Sequence, residues 1–269
     1  MTELGSRGSM SANSHYALRA TRDKSKTMNE LTQRQIDILK SVVEEYIETA
    51  EPVGSETLEK KHNLTASPAT IRNEMVRLTN MGYLKKAHIS SGRIPTSQAL
   101  KFYVNQLMKE KELSVTEEVG VKEKVWDFRN KEEKFLQELT KNLAEKTKAL
   151  AITTTDEGDF FACGYANLLD MPEFYDIDIT KNLFSVLDEL DYVRRLFPIE
   201  EDQDVHVLLE DELGPRLHGP YGFIFTSYKT SGNEHGRIGV LGSNRLNYTY
   251  IIPTVRYFRD LISEVAQGW

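Results

Sequence analysis

The 269 residues include 39% apolar and 28% charged side chains, an ordinary composition for a chain that folds as one large domain or two. Net charge is −7, yet residues 1–110 hold 16 Lys and Arg against 12 Asp and Glu, and the remainder holds 18 against 29, so a basic first part precedes an acidic second part. No apolar run approaches the roughly 18 residues of a membrane span. The single cysteine, Cys163, excludes a disulfide framework or a cysteine-built zinc site within one chain and fits a reducing, cytoplasmic compartment.

Residues 1–29 are rich in Ser, Arg, Lys, Asn and Thr, lack the apolar stretch of a secretory signal, and read as a disordered basic arm. Thr32 is placed to cap a helix whose apolar face is Ile36, Leu39, Val43, Tyr46 and Ile47. Glu51-Pro52-Val53-Gly54 breaks that pattern. Ser55 then opens a short helix to His62, with Leu58 facing inward. Ser67 caps a third helix with Pro68 at its first position, where a missing N–H costs nothing. That helix runs to about Asn80 on a buried stripe of Ile71, Met75 and Leu78, and Gly82 stops it. Tyr83 to Ile89 reads as a strand, Ser90-Ser91-Gly92 as its turn and Arg93-Ile94 as the return. Pro95 ends this ribbon, and Thr96 or Ser97 caps a helix carrying Ala99, Leu100, Tyr103, Val104 and Leu107. Three helices followed by a two-stranded ribbon are the layout of a winged helix-turn-helix, here over residues 30–109.

Residues 110–148 are charged and helical. Val125, Phe128, Phe135, Leu136, Leu139 and Leu143 make them an amphipathic connector suited to pairing with another helix. From residue 149 to 269 the texture is that of strands, at 149–155, 160–164, 205–209, 221–225 and 237–241, with helices at about 180–196 and 249–266. The fold class is therefore α+β, with a mainly antiparallel sheet behind the winged helix and the connector.

The helix after Ser67 has what a major-groove reader needs: an anchored start, small residues for close approach, and polar side chains away from the core. With Ile71, Met75 and Leu78 inward, Ala69, Thr70, Arg72, Asn73 and Arg77 fall on outer or flanking faces. Arg72 can donate twice to guanine and Asn73 can pair with adenine. Ser67 and the first-turn N–H groups can hold a phosphate. Lys85 in the first ribbon strand, with His88, Ser90, Ser91 and Arg93 in the wing, is expected on the DNA backbone or adjacent minor groove. Lys60, Lys61, Arg72, Arg77, Lys85, Lys86, Arg93 and Lys101 stand against Glu74 alone within residues 60–101, a field that favours phosphates.

Leu31 to Met108 strongly resembles the N-terminal domain of the HrcA family of bacterial heat-inducible repressors. The resemblance lies in Leu31-Thr32-Gln33-Arg34-Gln35, Glu51-Pro52-Val53-Gly54-Ser55, the run Ser67 to Met75, Met81-Gly82-Tyr83-Leu84, and Ser90-Ser91-Gly92-Arg93-Ile94-Pro95-Thr96 before Phe102-Tyr103-Val104. It continues more weakly in Asn167-Leu168-Leu169, Pro172-Glu173-Phe174, and Gly236 to Gly242 with Arg245 and Tyr248. The resemblance implies a GAF-like second domain at 149–269. It also implies repression of chaperone operons through an inverted-repeat operator bound as a homodimer, and a GroEL-type chaperonin as helper. Typical members carry an inserted dimerising domain, whereas here Thr155-Asp156-Glu157-Gly158-Asp159 joins the two flanking strands directly.

Two other classes compete. An enzyme would need a phosphate-cradling glycine loop or metal-spaced histidines. Neither is present; Cys163 and His206 sit in apolar strands as structural residues, His218 and His235 fall in glycine-containing loops facing solvent, and no cofactor is called for. A ligand-sensing winged-helix regulator of other genes would use a pocket against the sheet; mutual packing of Phe161, Tyr165, Phe223 and Phe225 would instead mean a filled core.

Overall fold

A computed structural model describes residues 31–62, 64–87, 92–196, 204–230 and 235–266. Helix α1 (Gln33–Thr49) starts at a reciprocal cap: the Gln35 amide N–H donates to Thr32 Oγ1 at 3.3 Å, and the Thr32 N–H donates to Gln35 Oε1 at 2.9 Å. Its inward side is Ile38, Leu39, Val42 and Val43, with Tyr46 and Ile47 half-buried beside them. Helix α2 (Ser55–His62) buries Leu58, and α3 (Pro68–Asn80) buries Ile71, Met75 and Leu78. Gly82, at φ 85°, turns the chain out of α3. Strands β1 (Leu84–Lys86) and β2 (Arg93–Pro95) pair antiparallel, with Lys86 opposite Arg93. The β1 strand is shorter than the expected Tyr83–Ile89; Ala87 is not in the strand, and His88 to Ser91 lie outside the described residues. Val53, in the α1–α2 loop, exchanges backbone hydrogen bonds with Arg93 at 2.8 and 2.9 Å, which ties the ribbon to the helices. Gly92 makes that closeness available, since a Cβ there would stand 2.8 Å from Pro52.

Helix α4 (Ser97–Phe102), capped by Thr96, widens into a π-helical turn over Tyr103–Leu107. Helices α5 (Val115–Trp126) and α6 (Glu132–Thr147) follow. A five-stranded sheet comes next: β3 (Leu150–Thr155), β4 (Phe160–Cys163), β5 (His206–Leu209), β6 (Tyr221–Lys229) and β7 (His235–Ser243). The order is β4-β3-β7-β6-β5 and every pair is antiparallel. Between strands lie α7 (Tyr165–Leu169), α8 (Ile177–Leu187) and α9 (Leu190–Arg195), and α10 (Tyr248–Val265) closes the described chain.

The alternation of strand side chains divides the sheet into two packed faces. Ala151, Ile224, Ile238 and Val240 meet α6 and α10, through Phe135, Leu136, Leu139, Val255 and Phe258. Leu150, Ile152, Phe223, Phe225 and Leu241 meet α8 and α9 on the other side, through Leu183, Val186 and Val193. The expected single connector over 110–148 is thus two helices with different roles. Its second half is core, because the Phe135-Leu136-Leu139-Leu143 stripe lies on the sheet and Thr140 donates to Thr153 across that contact at 2.7 Å. Of the four aromatics whose mutual packing would mark a filled core, Phe223 and Phe225 stack at 4.9 Å, and His206 stacks on Phe225 at 4.9 Å. Phe161 packs on the opposite face, and Tyr165 is exposed beside Phe184. Cys163 is half-buried on an edge strand, not sealed in the core, and burial pushes its thiol pKa up.

The first three helices and the sheet share one continuous apolar cluster, and polar contacts join them further. Arg245 donates to the Ile47 carbonyl at 2.9 Å and is ion-paired with Glu173. Lys101 pairs with Glu212 at 2.8 Å, and Ser97 donates to Glu210. In α10, Pro253 has no N–H for the carbonyl four residues back. That carbonyl, of Thr249, accepts instead from the Lys111 N–H at 2.8 Å, so the linker after α4 is fastened to the helix.

Candidate nucleic-acid interface

Ser67 starts α3: its hydroxyl accepts from the Thr70 N–H at 3.3 Å and lies 3.0 Å from the Thr70 hydroxyl. From that anchored start, Ala69, Arg72, Asn73 and Asn80 are exposed, as is Val76 at 42%. Their spacing of three and four residues makes them one outward stripe, opposite Ile71, Met75 and Leu78. Thr70 is half-buried at the edge of the stripe. The two residues expected to read bases, Arg72 and Asn73, therefore both stand on solvent.

Beside the stripe lies a cleft of about 370 Å³, lined by Gly54 and Ser55 at the start of α2, by Arg72, Met75 and Val76 of α3, and by Lys86 and Arg93 of the ribbon. Three cationic side chains thus surround one concavity next to an exposed apolar residue.

The remaining expected contacts divide. Arg77 is exposed, but its guanidinium donates to Glu74 at 2.9 Å. Glu74 is buried and also accepts from Gln35 at 2.9 Å, so the one acid in the basic stretch fastens α3 to α1. Arg93 is half-buried, and its Nε donates to Thr79 at 3.2 Å, which props the ribbon against α3. Lys85 turns toward the sheet domain, with Nζ 4.0 Å from Glu210. The lysine that lines the cleft is Lys86. The sequence holds the signal for this, since pairing back across the turn from Arg93 gives Lys86. Val76, missed as a contact, is four residues beyond Arg72 on the same face. His88, Ser90 and Ser91 lie outside the described residues.

Behind α3, Glu45 of α1 is buried, which raises its carboxyl pKa, but hydrogen bonds from Lys61 at 2.6 Å and His62 at 3.2 Å outweigh this and hold it below its ordinary value. This pins the end of α2. Among the described residues no cluster of three or more His, Cys, Asp or Glu side chains is placed to hold a metal ion, and no helix is long and apolar enough to cross a membrane.

Comparison with known proteins places this chain in a family. The family model described as HrcA protein C terminal domain matches residues 64–252. A heat-inducible transcription repressor HrcA of Carboxydothermus hydrogenoformans is 26% identical over 335 residues, which take in 87% of this chain and 98% of the relative. That alignment is longer than the chain itself, so the relative has segments absent here. The repressor HrcA of Clostridium tetani is 44% identical over 124 residues, 46% of this chain and 35% of the relative. A crystal structure of a hypothetical protein at 2.2 Å resolution superposes with a TM-score of 0.71 at 18% identity, covering 89% of this chain and 99% of that one, so the two share a fold.

Proposed function

The chain belongs to the HrcA family of heat-inducible transcription repressors, and from that premise we propose that residues 30–109 are a winged-helix reading head that docks α3 in the major groove of an inverted-repeat operator. Residues 149–266 then act as a GAF-like regulatory body, to which α6 belongs as well. The observation that carries this reading is the outward stripe of Arg72, Asn73 and Val76 beside a cleft ringed by Arg72, Lys86 and Arg93. An arginine and an asparagine at the front of a groove-sized helix can distinguish guanine and adenine edges, and a valine can meet a thymine methyl. The cleft suits a backbone phosphate, which sets the depth and register of the helix without reading sequence.

A two-fold operator calls for a two-fold protein, with one α3 per half-site and half-sites one helical turn or a multiple apart. Bound there, the protein blocks polymerase by occupying its path. Heat lowers the population of the folded, paired state, and a GroEL-type chaperonin restores it. The test is a titration of labelled duplexes, one carrying the family's inverted repeat and one a scrambled copy. The repeat is expected to bind tighter by about 10³-fold or more at physiological salt. Equal affinity for the two duplexes refutes the reading.

A further inference from the structure

Helix α5 has two apolar sides, and among the described residues only one is covered. Val121 and Val125 are buried inward, at 1% and 0% exposure. Val115, Val119 and Trp126 are exposed at 75%, 48% and 44%, and their spacing of four and seven residues sets them in one line along the helix. Lys122 lies in that line, its Nζ 2.8 Å from Glu264, and the Arg129 guanidinium covers the Trp126 ring at 5.0 Å. Val119 and Trp126 border a hollow of about 480 Å³ whose other walls are Lys122, Glu123, Asp127 and Glu264.

We propose that this line is the docking surface for a second copy of this chain, α5 against α5, antiparallel about a two-fold axis between Val119 and Lys122. Lys122, in the middle of the apolar line, rests on Glu264 of its own chain at the helix flank, and a partner's carboxylate at the same height would share that ammonium. Glu118 stands one turn before Lys122 on the same flank, so an antiparallel copy meets each Lys122 with a Glu118, and symmetry supplies the pair twice. Val115 of each copy then faces Trp126 of the other. The contact is self-complementary and closes after one pairing, so it gives a dimer and not a filament. A helix of 12 residues is about 18 Å long, and alone it offers less than the roughly 800 Å² per partner of a standard interface. The dimer is therefore expected to be weak in free protein and strengthened by two adjacent half-sites.

The inference rests on the operator reading only in the need for two copies. It is tested by sedimentation of the full chain over a concentration series. The wild type is expected to pass from one-copy to two-copy mass. Val119→Glu with Trp126→Glu is expected to weaken association by about 100-fold or more while melting as the wild type does, since both side chains are exposed. Lys122→Glu alone is expected to weaken it by roughly tenfold, and adding Glu118→Lys to restore it, because the exchanged pair is complementary again. A wild type that stays monomeric at all concentrations, a Val119/Trp126 variant that pairs normally, or a charge exchange without rescue overturns the proposal. A dimer indifferent to operator sequence would refute the operator reading and leave this surface standing; a monomer that binds one half-site specifically would do the reverse.

Discussion

Arg72 and Lys86 line the same cleft, yet they are expected to fail differently when removed. A guanidinium donating twice to one base is worth about 1–3 kcal/mol against the wrong base, so Arg72→Ala is expected to shrink the affinity ratio between operator and scrambled duplex by that amount. An ammonium on a phosphate carries no sequence information. Lys86→Ala is expected to weaken both duplexes equally and to reduce the slope of log affinity against log salt by about 1. Lys85, held near Glu210, is the control and should change that slope little. Glu45 supports a pH prediction. Its folded pKa lies below the ordinary carboxylate value, so its contribution is complete above that value and is lost as pH falls through the depressed one. Unfolding measured from pH 6 down to 3 is expected to show stability falling, with a shallower fall in Glu45→Gln.

Elements were legible in the sequence wherever their causes are local. The Ser67 cap, Pro68 at the first position and the Ile71-Met75-Leu78 stripe determine α3 from within thirteen residues, and the helix lies where they indicate. The outward position of Arg72 and Asn73 follows from the same periodicity. What local pattern could not supply is direction set by distant partners. Lys85 and Lys86 point to opposite faces of the ribbon, and its register against Arg93 turns Lys86 to the cleft; only the fold shows that Glu210, more than a hundred residues on, lies beside Lys85. The stripe on α6 looked like a surface for another helix because the sheet that covers it is built later in the chain. Helix α5 supplies a test at this scale. Gly120 lies mid-helix, and a Cβ there would meet nothing within 4 Å. Gly120→Ala is expected to stabilise the protein by about 0.5–1 kcal/mol in denaturant titration, through lower helix-forming entropy cost alone.

At the scale of the whole molecule, the N-terminal helices and the sheet share one apolar cluster, and Arg245 is among the polar groups that join them. It reaches the Ile47 carbonyl of the head while paired with Glu173, and both partners of that ion pair are nearly buried. Arg245→Ala strands the Glu173 carboxylate, and a loss of about 3 kcal/mol is expected in thermal or chemical unfolding, accompanied by weaker operator binding. Pro253 makes the opposite bargain. Replacing a helical proline by alanine ordinarily strengthens a helix. Here the new amide would compete for the Thr249 oxygen that Lys111 now occupies. Pro253→Ala is therefore expected to leave α10 intact and to speed hydrogen exchange at the Lys111 amide; unchanged protection there would refute it. The imperfection in one helix is the eyelet through which the chain between the two halves of the molecule is laced.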